Sequence, residues 1–126
     1  MSYTSVEHLT NEHNDWLRAL EFYDEELDTM EKRLAEVASK NNGSEAKAGI
    51  EHFQNQFIVQ RNNIDELQHD IRINLQQLAH QVVSTAGHVE IFSLDEHESM
   101  REDFMSFEKI MLELRHEFNR FLSKWM

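Results

Sequence analysis

Five of the eight histidines, His8, His13, His80, His88 and His97, fall in stretches that also carry Glu12, Glu90, Asp95, Glu96 and Glu98. Imidazole and carboxylate together form a donor set suited to zinc, iron and other divalent first-row metals. His13 and His97 stand out because each continues a three-four spacing of apolar residues and so is expected to point inward. His80, two residues from both Leu78 and Val82, faces away from their stripe. The metal site this predicts draws on His13, His97, Glu12 and His8, with zinc or iron as the ion. The competing reading makes His13 and His97 core-edge histidines, each bonded to a carboxylate or backbone carbonyl and fixing register as one polar core residue can. Ring direction separates the two: toward each other favours the metal, toward separate carbonyls favours a scaffold.

Other chemistry finds little support. Glu66/His69 and Glu113/His116 repeat the Glu-x-x-His pattern that ferritin-like di-iron bundles project inward. Relative to the apolar stripes, however, all four residues take outer positions and read as solvated face. There is no cysteine, so thiolate ligands, cysteine nucleophiles and disulfides are excluded. A Ser-His-acid constellation with local context, a phosphate-cradling glycine loop and an H-E-x-x-H motif are all missing, so an enzyme would almost have to depend on a metal. The expectation is a non-enzymatic protein. Histidines among carboxylates also suggest pH sensing, because acidic neighbours favour the protonated ring.

The second feature above background is a surface. Between Ile50 and Gly87 the charged residues are only Glu51, Arg61, Asp65, Glu66, Asp70 and Arg72, while glutamine and asparagine recur throughout. Ile58, Val59 and Ile73 lie off the apolar stripe of that segment. A nominally outer surface that is apolar and amidic has the composition of an interface centre. The working surface predicted is Ile58, Val59, Gln60, Asn62, Asn63, Glu66 and Ile73, forming a homodimer or docking a partner helix. A separate acidic turn, Asp24, Glu25, Glu26 and Asp28, could receive a basic peptide but reads first as a solvated side.

These residues must be positioned by helices. Proline is absent and only three glycines interrupt the chain, so long helices are permitted. The first stripe runs Val6, Leu9, Trp16, Leu20, Tyr23, Leu27, Met30, Leu34 and Val37, with His13 filling its one gap, and Thr4 with Glu7 matches a capping box. Lys40 to Ser44 (KNNGS) ends it, with asparagine and glycine suited to a left-handed closing residue and Ser44 to capping the next helix. The second stripe runs Ile50, Phe53, Phe57, Ile64, Leu67, Ile71, Leu75, Leu78 and Val82, with Gln60 at one expected apolar position and a phase slip after Ile71. Thr85-Ala86-Gly87 stops it, and His88 to Phe92 forms a connector whose Val89, Ile91 and Phe92 cover the bundle end. Ser93 with Glu96 then caps a third stripe: Met100, Phe104, Phe107, Met111, Leu114, Phe118, Phe121 and Trp125.

The predicted fold is therefore all-α: one domain over residues 1–126, with helices at about 5–40, 44–86 and 94–126 in an up-down-up antiparallel, coiled-coil-like bundle. Helices of roughly 35, 40 and 32 residues would be about 50 to 60 Å long. In length and layout the pattern resembles spectrin-like three-helix repeats, a likeness carried by heptads and helix count alone. That topology brings the start of the first helix, the end of the second and the start of the third to one end, where the five histidines gather. With 40% hydrophobic residues the chain belongs among globular proteins despite its 29% charged residues. A net charge of -12 with no basic cluster opposes nucleic acid and anionic membranes as partners. No basic n-region or long apolar run marks export or membrane insertion, and the cytoplasm is the expected compartment.

Overall fold

The computed structural model describes the backbone of residues 4–85, 88–89 and 91–126, and the side chains of residues 6–80 and 95–126. Three helices pack into an up-down-up bundle: α1 (Val6–Lys40), α2 (Ser44–Thr85) and α3 (Ile91–Trp125). The predicted stripes form its core. Leu20, Leu27 and Val37 of α1, Ile71 of α2 and Met111 of α3 are fully buried, with Phe57 and Phe118 nearly so. Phe53 lies among Phe57, Phe118 and Phe121, with ring centroids 6.2, 5.2 and 5.0 Å away. Tyr23, Leu67, Leu75, Phe121 and Trp125 are half-buried against this core.

The bundle differs from expectation at its helix ends. α3 begins at Ile91, so Ser93 lies inside the helix and not at its cap. At the first turn, Gly43 takes the N-cap role expected of Ser44, its carbonyl accepting the Lys47 N–H at 3.0 Å. Asn41 closes two helices. Its Nδ2 donates to Val37 O at 2.9 Å and to Trp125 O at 3.1 Å, satisfying end carbonyls of α1 and α3. Thr4–Ser5 (β1) pairs antiparallel with His88–Val89 (β2), a two-residue ribbon too short to show any alternating pattern in sequence. It ties the start of α1 to the connector between α2 and α3. The expected capping by Thr4 and the covering role of Val89, Ile91 and Phe92 fall outside the described side chains, as does Val82 of the second stripe.

Glycine matters at one close approach. Gly49 sits in α2 where an added Cβ would overlap the Phe121 ring edge, standing 3.1 and 3.2 Å from Cδ1 and Cζ. The missing side chain lets α3 lay an aromatic ring against the α2 backbone.

Candidate functional site

Two regions carry the sequence's functional signals, the histidine end and the outer side of α2. At the first, the apolar phase of α1 and α3 turns His13 and His97 inward, leaving them 0% and 2% exposed. His13 Nδ1 donates to the Leu9 carbonyl at 2.7 Å, and His97 Nε2 bonds to the Glu12 carboxylate. The rings lie 4.8 Å apart, and Trp16 stacks on His97 at 5.0 Å. Both remaining nitrogens, His13 Nε2 and His97 Nδ1, are buried without a hydrogen-bond partner. The rings are thus adjacent while each is fixed by its own acceptor.

Burial pushes the His13 pKa down, and the nearby His97 adds to that, against the opposing pull of the Leu9 carbonyl, Asn74 and Glu12. Burial raises Glu12, but hydrogen bonds from Arg101 and His97 outweigh it and leave the carboxyl below its ordinary value. Arg101 bridges Glu12 and Glu98 at 2.7 Å each. Asn74, buried on α2, takes the place opened by the phase slip after Ile71. His8 and His80 are exposed, and the side chain of His88 is outside the described residues. Among the described residues no group of three or more histidines and carboxylates converges in an arrangement that could hold a metal. Of the set His13, His97, Glu12 and His8, the His13 and His97 rings are adjacent, Glu12 is bonded to His97, and His8 is exposed.

The acidic turn of α1 serves the bundle itself. Arg61 of α2 reaches Asp24 at 2.7 Å and Glu31 at 3.0 Å, and also bonds Asp28. Arg115 of α3 grips Glu26 through two bonds of 2.7 and 2.9 Å. Tyr23 donates to Glu108 at 2.6 Å; burial and that carboxylate push its hydroxyl up to about 12. Both seams of α1 are therefore closed by cations of the neighbouring helix.

The α2 surface keeps its predicted character in part. Ile58, Val59 and Ile73 are 57%, 48% and 40% exposed, and Asn62 and Glu66 are exposed beside them. Asn63 is half-buried. Gln60 is corrected: at 3% exposure it lies in the core, its carbonyl accepting from Asn63 Nδ2 at 3.1 Å, because it occupies the inward position of the heptad. Beyond the predicted residues, the seam between α2 and α3 opens into adjoining hollows of about 250 and 320 Å³ that share Asp70 and Asp103. Leu67, Phe107 and Met100 form their apolar floor, with Ile73 and Ile110 at the margins.

No protein family, no characterised protein and no solved structure matches this chain. Among the described residues no helix is long and apolar enough to cross a membrane.

Proposed function

We propose that this chain is a non-enzymatic interaction module that docks a helix, from a second copy or another protein, on the outer side of α2. The observation that carries it is the exposure of Ile58, Val59 and Ile73 on one side of a 42-residue helix whose core-facing side is already satisfied. Helical spacing of 100° per residue puts these three within a sector of about 100°, together with Asn62 and Glu66. Apolar side chains framed by amides gain from covering by another surface. Replacing Ile58, Val59 and Ile73 together by serine leaves the core intact. The expected result is unchanged helicity with loss of the complex that the unmodified chain forms in native size-exclusion chromatography of cell extract. An unmodified chain running at its single-chain mass throughout, or a triple variant retained in the same complex, overturns the reading.

A second reading rests on His13 Nε2 and His97 Nδ1, two buried and unpartnered nitrogens on rings 4.8 Å apart. Each ring has its other nitrogen bound to a carbonyl or carboxylate, which is how metal-ligating imidazoles are commonly oriented. Zinc or divalent iron would take those two nitrogens, with Glu12 supporting His97. Stoichiometric metal in protein purified without chelator, lost on replacing His13 and His97 by alanine, is the expected result for that reading. Metal-free protein that takes up neither added zinc nor added iron removes it.

A further inference from the structure

The three seams of the bundle differ in how their charge is balanced. Arg61 neutralises the α1 acids facing α2, and Arg101 and Arg115 pair with Glu12 and Glu26 between α1 and α3. Among the described residues the seam between α2 and α3 has no such partner along its open stretch. Glu66, Asp70, Glu96 and Asp103 line it, all exposed, and none makes an ion pair among the described residues. Among the described residues the one cation bridging these helices, Lys124 to Glu45 at 2.6 Å, lies at the far end of the bundle. Between the carboxylates the floor is apolar, with Ile73 and Ile110 standing 40% and 43% exposed at its margins.

From this we infer that the α2–α3 groove receives a basic amphipathic helix of another protein, which lies along the seam as a fourth helix. The inference rests on the helix-docking reading and adds the partner's chemistry and seat. An apolar stripe at i, i+3, i+4 and i+7 would cover Ile73, Ile110 and the floor, while lysine or arginine on its flanks would meet the two carboxylate rows. A second copy of this chain is the wrong occupant. Its net charge is -12, and like charges brought into register across an interface are repelled. The same four carboxylates that would steer a basic helix into the groove would discourage an acidic one.

The test uses the full chain labelled with nitrogen-15 and three synthetic 18-residue peptides: an amphipathic leucine/lysine helix, the same composition scrambled, and an amphipathic leucine/glutamine helix. The leucine/lysine helix is expected to shift the amides around Glu66, Asp70, Asp103 and Ile110, with affinity falling as salt rises. D70K/D103K, two exposed positions whose change leaves the fold intact, is expected to weaken it tenfold or more. Equal binding by the scrambled peptide, or shifts centred on the Asp24 to Glu31 turn, overturns the inference. Salt-independent binding of the leucine/glutamine helix in the groove, as tight as that of the leucine/lysine helix, also overturns it but leaves helix docking standing. No perturbation of the groove by either amphipathic peptide overturns the inference and leaves helix docking on Ile58 and Val59 to the size-exclusion test.

Discussion

Replacing Gly49 by alanine sets two effects of known size against each other. Alanine in a helix interior is favoured over glycine by about 1 kcal/mol, so propensity alone predicts stabilisation. The structure predicts the opposite. The new methyl would overlap the Phe121 ring, which is packed against Phe53 and Phe118 at centroid distances of 5.0 and 6.2 Å. Overpacking of this kind costs about 1 to 3 kcal/mol, leaving a net destabilisation of about 1 kcal/mol. With a urea dependence of about 2 kcal/mol per molar, the unfolding midpoint followed by circular dichroism should fall by about 0.5 M. In a Phe121→Leu background the ring is gone and Gly49→Ala should instead raise the midpoint, a sign reversal between neighbours that a double-mutant cycle measures directly. A raised midpoint in the otherwise unmodified chain would refute the close approach of α3 to the α2 backbone.

Asn41→Ala removes a side chain that satisfies carbonyls at the ends of both α1 and α3, and should cost about 1 kcal/mol with faster amide exchange at both ends. Arg61→Met releases Asp24, Asp28 and Glu31 from their shared cation; because these groups are partly exposed the loss should stay near 1 kcal/mol and shrink in high salt, as denaturation at two ionic strengths would show. Tyr23 gives a pH dependence of definite sign. Its hydroxyl is raised from 10 to about 12 in the folded chain, so its contribution is complete below pH 10 and lost as pH rises from 10 to 12. Tyr23→Phe should remove that component of the alkaline loss, measured as the urea midpoint against pH.

The fold was legible because three long stripes could each be followed without a proline break, and because Lys40 to Ser44 has the composition of a turn. The same phase argument turned His13 and His97 inward, where they are found. It failed for Gln60, which was assigned to an outer surface although its heptad position was the inward one; its amide character outweighed its phase. Boundaries were less legible than elements. The β1–β2 ribbon is a pairing across the bundle end that no local pattern records, and α3 starts at Ile91, ahead of the Ser93 capping signature. The acidic turn looked like solvated surface because its cations, Arg61 and Arg115, come from other helices. For the same reason the α2–α3 groove was invisible. Glu66 and Asp70 are separated from Glu96 and Asp103 by the whole connector, and only the antiparallel packing of α2 and α3 sets them face to face.

The claim that α2 works as a docking surface is tested most directly by photo-cross-linking in cells, with a benzophenone amino acid placed singly at Val59, Ile73 or Ile110 and, for comparison, at Lys32 or Glu36 of α1. Discrete adducts of one mass from the α2 and α3 positions, absent from the α1 positions, are the predicted result. Adducts from none of these positions, or from α1 alone, would contradict it.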